Sequence, residues 1–109
     1  MYRKFIERNF GNVHMKGFEY LIKACELYAD GFEKISNVYL IIAKHYDGAS
    51  YATVERDIRF YIQNISRSTL YGCLPTMKAF TNKSVVAAIV YEVHKERMPV
   101  HDAGTQISR

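Results

Sequence analysis

Apolar positions recur along the chain at the three- and four-residue spacing of helices, and no stretch sustains the two-residue alternation of a half-buried strand. Residues 2–9 predict a short helix with Tyr2, Phe5, Ile6 and, just beyond, Phe10 on one side, broken by Gly11 and Asn12. A second helix is expected from Gly17 to Ala29, where Phe18, Leu21, Ile22, Cys25 and Tyr28 form one inward face. Asp30-Gly31 ends it. Ser36 reads as the N-cap of a third helix that carries Val38, Leu40, Ile41, Ile42 and Ala43 to about Tyr46. Asp47-Gly48-Ala49-Ser50 forms the next turn, and Ser50 is placed to cap a fourth helix from Tyr51 to about Ser66. A short helical turn at Thr69–Cys73 precedes Pro75. The last helix, capped by Thr81 or Asn82, uses Val85, Val86, Ile89 and Val93 and runs to about Arg97, where Pro99 stops it. The expected architecture is all-α: a compact domain of five to six helices over residues 1–98, followed by a frayed tail at 99–109.

The third and fourth helices, joined by a four-residue turn, form a candidate helix-turn-helix. Ala43 is small where the two would cross, Val54 is apolar where the second must pack back on the first, and Gly48 can take the positive φ of a sharp turn. At about 100° per residue, Val54, Ile58, Ile62 and Ile65 gather on one side of the fourth helix, with Tyr61 beside them. The opposite side collects Ala52, Thr53, Arg56, Arg59, Phe60 and Gln63, with Glu55 on the flank. These polar types suit base edges: Arg grips guanine O6 and N7, Gln pairs with adenine, and Glu accepts from cytosine N4. The same pattern also describes a merely solvated face, on which Glu55 and Asp57 pair with Arg59 and other neighbours.

Composition changes this picture little. The chain has 109 residues, 49% of them hydrophobic, which fits one independently folding domain. Its net charge of +4 permits contact with a polyanion without demanding one. Arg3 and Lys4 are followed by Phe-Ile-Glu-Arg, unlike a signal peptide, and the longest apolar run, Val85 to Tyr91, is far short of the ~20 residues that span a bilayer. A soluble intracellular protein is therefore expected.

Enzymatic chemistry is not expected. His14, His45, His94 and His101 are scattered, and none sits in a His-Glu-x-x-His pattern. His94 with Glu92 or Glu96 reads as surface decoration rather than a metal site, and His14 as a residue that fixes a loop or meets a phosphate. Cys25 lies on an apolar stripe and reads as a buried, reduced thiol, while Cys73 has no evident base nearby. The glycines are spread singly, so no phosphate cradle exists. No cofactor, metal or small-molecule substrate is expected.

An ordered set of short motifs adds to this reading. The stretch His14-Met15-Lys16-Gly17-Phe18-Glu19-Tyr20-Leu21 resembles the His-x-Lys-Gly-aromatic-x-Tyr-Leu opening of the C-terminal effector domain of the stage 0 sporulation protein A family. Tyr39 with Ile42-Ala43-Lys44 is similar to the first helix of that family's helix-turn-helix, and Val54-Glu55-Arg56-Asp57-Ile58-Arg59 to its recognition-helix core, Val-Glu-Arg-x-Ile-Arg. Thr81-Asn82 matches the Thr-Asn that opens its last helix. The matches run in order from about residue 5 to residue 97.

The resemblance implies a six-helix transcription-factor domain that places its recognition helix in the major groove of a short box of double-stranded DNA. It implies base reading by Glu55 and Arg56, to which the outward face of the helix adds Thr53 and Gln63. Arg59, Lys44, Lys16 and Ser50 are the expected backbone contacts. Two copies often dock in tandem in that family, so tandem copies, or a homodimer through Tyr91 or His94 of the last helix, are expectations for this chain.

Three features depart from the family. The turn from Asp47 to Thr53 is one residue longer, which tilts the helix or shifts its cap. Thr53 stands where the family usually has a base-contacting Arg, a loss of ~1–3 kcal/mol at one base position. The 109 residues also hold no phosphorylatable receiver domain, as expected of an excised domain or a stand-alone protein. Two functions therefore stay open: a sequence-specific DNA-binding regulator, or a helical protein-interaction module that kept the fold and lost strong DNA affinity.

Overall fold

A computed structural model describes residues 1–96. Their elements are six helices: α1 (Tyr2–Phe10), α2 (Lys16–Ala29), α3 (Ile35–His45), α4 (Tyr51–Gln63), α5 (Arg67–Cys73) and α6 (Asn82–Glu96). The all-α expectation and its helix-turn-helix, α3 and α4, are both present. The expected helix end near Arg97, the stop at Pro99 and the tail at 99–109 lie outside the described residues.

Each helix supplies its apolar stripe to one core. Ile6, Leu21, Val38, Ile42, Val54, Ile58, Tyr61, Leu70, Val85, Val86 and Ile89 are all shut off from solvent, at about 1.5–3 kcal/mol for each large side chain buried. Helix α2 is the hub, packing on α1, α3, α4 and α6. Cys25 on its inner side is fully buried, as its place on the apolar stripe predicted. Helix α1 is held to α2 by a two-pronged Arg3–Glu19 pair at 2.8 Å, and to α6 by Arg8–Glu96 at 3.3 Å. Both pairs are exposed and screened by solvent, so the buried Phe5 and Ile6, not the charges, fix α1.

Two boundaries and the facing of one residue differ from the expectation. Ser36 does not cap α3: the helix begins at Ile35, and the carbonyl of Lys34 accepts from the N–H groups of Asn37 and Val38. Helix α4 ends at Gln63, and Ser66 instead caps α5, its hydroxyl accepting from Thr69 N at 3.2 Å. Leu40, grouped with the apolar residues of α3, is exposed. Of the two candidate caps of α6, Thr81 acts as one, its hydroxyl accepting from Ser84 N at 3.2 Å, while Asn82 is buried.

Glu92 corrects another reading. It is 9% exposed, because its position on α6 falls beside Ile89 and Val93 on the inward side. His94 is exposed but engaged, its Nε2 3.1 Å from the hydroxyl of Tyr2 on α1. No described helix is long and apolar enough to cross a membrane.

Candidate nucleic-acid interface

The turn between α3 and α4 is built as its residues demand. Gly48 takes φ 80°, a left-handed conformation that costs a side chain but not glycine. Ser50 then stands at the N-cap of α4 with its hydroxyl accepting from Thr53 N at 3.1 Å and donating to Thr53 Oγ1 at 2.9 Å. Val54 and Ile58 are fully buried beneath, Ala43 is partly buried against the core, and Tyr39 meets Tyr51 edge-on at 5.3 Å.

Two anchors fix α4 from outside the helix-turn-helix. On one flank Gly17, at the start of α2, lies against the main chain of α4. A Cβ there would overlap the carbonyl oxygen of Asp57 and sit 2.8 Å from Tyr61 Cβ. On the other flank Asn82, at the start of α6, donates through Nδ2 to the Tyr39 hydroxyl at 2.9 Å and to the Glu55 carbonyl at 3.1 Å. Burial pushes the Tyr39 phenol above its ordinary value, so it stays a neutral partner for that amide. Tyr61 adds a third tie, its hydroxyl donating to the Gly11 carbonyl at 2.5 Å.

With its inner side held this way, α4 turns Arg56, Phe60 and Gln63 outward, all exposed. The Arg56 side chain keeps 52% of its surface, and its Nε is 3.6 Å from the Asp57 carboxylate. Glu55 is ion-paired with Arg59 one turn on, and the Arg59 guanidinium also sits 5.7 Å from the Phe60 ring centre. Thr53 is half-buried beside the cap. Gln63 lies seven residues beyond Arg56, about 10 Å along the axis. Lys44 in the last turn of α3 and Lys16 at the first position of α2 are exposed. The structure therefore brings Ser50, Thr53, Glu55 and Arg56 together at the N-terminal half of α4, with Arg59 one turn beyond Glu55, and sets Gln63, Lys44 and Lys16 around them.

The family model described as "Sporulation initiation factor Spo0A C terminal" matches residues 4–93. The chain belongs to this family. No curated protein and no solved structure matches the chain. The Spo0A C-terminal family is one of DNA-binding, helix-turn-helix domains of sporulation regulators.

Within this Spo0A-type domain, two residues that position α4 escape sequence reasoning. Asn82 is visible there only as a cap candidate. The signal that separates it from Thr81 is helical phase, since Asn82 lies three and four residues before the buried Val85 and Val86. Gly17 is visible as a motif letter without a reason, because a close helix crossing leaves no mark beyond the missing side chain. Among the described residues no group of three or more His, Cys, Asp or Glu is placed to hold a metal ion.

Proposed function

We propose that this protein is a sequence-specific, duplex-DNA-binding transcriptional regulator of sporulation that lays α4 in the major groove of a short box. Arg56 reads guanine, Glu55 accepts from cytosine, and Thr53 and Gln63 complete the base contacts. Arg59, Lys44, Lys16 and the main chain at Ser50 hold the phosphate backbone, the Ser50 hydroxyl being occupied by the cap. Such a regulator acts in the cytoplasm, at the nucleoid of a bacterial-type cell, as a homodimer or as tandem copies on DNA.

The observation that carries this reading is the uncovered outer side of α4, which presents Arg56 to solvent while both flanks of the helix are pinned. A helix about 10–12 Å across fits a groove about 12 Å wide only if its outer side is bare and its direction fixed. Glu55 and Arg59 already pair in the free protein. Because this pair lies at the surface and is screened by solvent, a base or a phosphate can compete for either partner.

The alternative, a protein-interaction module with this fold, draws on Phe60 and Leu40, each 47% exposed on the two helices of the motif. Selection from a random duplex pool followed by a salt titration of the winner separates the two. Enrichment of one short box, abolished by Arg56→Ala, is the expected result. Weak, salt-sensitive binding without enrichment would hand the face to a protein partner.

A further inference from the structure

From Ile58 to Tyr91 the sequence contains no Asp or Glu, yet it carries Arg59, Arg67, Lys78 and Lys83. The fold gathers these cations on one flank of α4. Arg59 and Lys83 line a hollow of about 350 Å³ together with Phe80, Asn82 and Glu55, whose carboxylate is paired with Arg59. The Arg67 guanidinium lies over the Phe80 ring at 4.2 Å, a cation–π contact that holds it at the edge of the same hollow. Lys83 also lines a neighbouring hollow of about 450 Å³ with Lys78, and no carboxylate lines that one. Lys78, Lys83 and Arg67 are all exposed.

The placement of this flank follows from the two anchors. Gly17 meets α4 at Asp57 and Asn82 meets it at Glu55. Two residues along a helix are about 200° around its axis, so the first residues of α2 and of α6 stand on opposite sides of the recognition helix. A helix in the major groove has a sugar-phosphate strand on each side. Lys16, next to Gly17, is the cation on the α2 side; Lys83, Lys78 and Arg67 lie on the other.

The geometry points to a second DNA-backbone surface, formed by Lys83, Lys78 and Arg67, that takes the phosphate strand opposite the one reached from Lys16. It rests on α4 being the major-groove helix and extends the interface to DNA flanking the box. Duplex DNA is favoured over an acidic protein because Lys83 shares a hollow with Arg59, which joins this surface to the face of α4. A strand that offers a phosphate every ~3.4 Å of axis meets several of these cations at once.

The test compares wild type with Arg67→Ala/Lys78→Ala/Lys83→Ala, and with Lys78→Ala/Lys83→Ala, which leaves the Arg67–Phe80 pair in place. Each is titrated against salt on the selected box with long flanks and on the box trimmed to its core. Taking away one cation that neutralises a phosphate lowers the slope of log affinity against log salt by about 0.9. The triple variant's slope is therefore expected to fall by about two to three units and the double variant's by about two, with the preferred box unchanged. Wild type is expected to bind more weakly on trimming, and the triple variant is not. Equal slopes and equal responses to trimming, with Arg56→Ala still abolishing box selection, would overturn this surface alone. Slopes that stay equal while the variants no longer bind an acidic protein would give the surface to that partner and overturn the proposal too. Absence of duplex binding by wild type would remove the major-groove reading and this inference together.

Discussion

Gly17 and Asp57 touch through main chain alone: the first turn of α2 rests on a carbonyl of α4, with no room for a β-carbon between them. Helix α4 is thus seated by the absence of a side chain. Gly17→Ala gains helix propensity of about 1 kcal/mol in α2 but must push α4 away. Forcing extra volume into a packed interface costs about 1–3 kcal/mol, and this overlap is with backbone, which cannot swing aside. The expected outcome is a net loss of stability in denaturant unfolding and weaker DNA binding. A variant as stable as wild type would mean that α2 shifts freely.

Asn82 seats the other flank through hydrogen bonds. Asn82→Ala removes both donors and leaves the buried Tyr39 hydroxyl and Glu55 carbonyl without them, a cost of about 1–3 kcal/mol. Tyr39→Phe removes only one of the two bonds and is expected to cost less, about 0.5–1.5 kcal/mol. Thermal unfolding of the two variants side by side gives the order. The reverse order would place the important bond at Tyr39 rather than at the main chain of α4.

The difference between these two anchors explains what the sequence discloses and what it hides. Periodicity exposes a residue's own burial, so the inward Val54, Ile58 and Ile62 and the outward Arg56 and Phe60 are legible, as is the Ser50 cap, whose partner is three residues away. Pairings between residues far apart in the chain leave no periodic trace. Gly17 with Asp57, Asn82 with Glu55, and Tyr61 with Gly11 are of that kind. Ser36 misleads for a related reason: a good capping residue is present, but the Lys34 carbonyl starts the helix two residues earlier. Glu92 misleads because a lone carboxylate on a helix reads as solvated until its neighbours are known.

The cysteines divide by burial. Cys25 is fully enclosed, and burial pushes its thiol well above the ordinary value; Cys73 is partly exposed, its Sγ 3.6 Å from Asn9 Oδ1. Since the thiolate is the nucleophile, one thiol should react with a disulfide reagent in native protein and both in denaturant. The raised folded-state value also sets a pH dependence. The contribution is full below the unfolded thiol's value of about 8.5 and is lost as pH rises above it, because the unfolded chain then releases its proton first. Two thiols reacting at equal rates in native protein would show that α2 opens readily.

Lys44 tests the backbone half of the interface. A phosphate contact carries no sequence information, so Lys44→Ala is expected to weaken all duplexes alike and to flatten the salt slope by about one unit. The box preferred by wild type should be retained. A change of preferred box on this substitution would place Lys44 at a base edge instead.

Thr53 gives the sharpest test of base reading. It sits three residues before Arg56, one turn earlier on the same stretch of α4, and its side chain is short and half-buried against Ser50. Its hydroxyl accepts from Ser50 and keeps its own proton for donation, so it offers a base far less than a guanidinium does. Thr53→Arg removes that hydroxyl bond but retains the main-chain cap, in which Thr53 N donates to the Ser50 hydroxyl. A longer side chain from this position reaches outward beside Arg56, where a bidentate pair with guanine is worth about 1–3 kcal/mol. The variant is therefore expected to bind a box with an added guanine about 5- to 150-fold more tightly than wild type does, with other duplexes little changed. Repeating the duplex selection with the variant reads this directly. An extra guanine enriched next to the base read by Arg56 fixes the direction of α4 along the groove, whereas equal tightening on every duplex would put residue 53 against a phosphate.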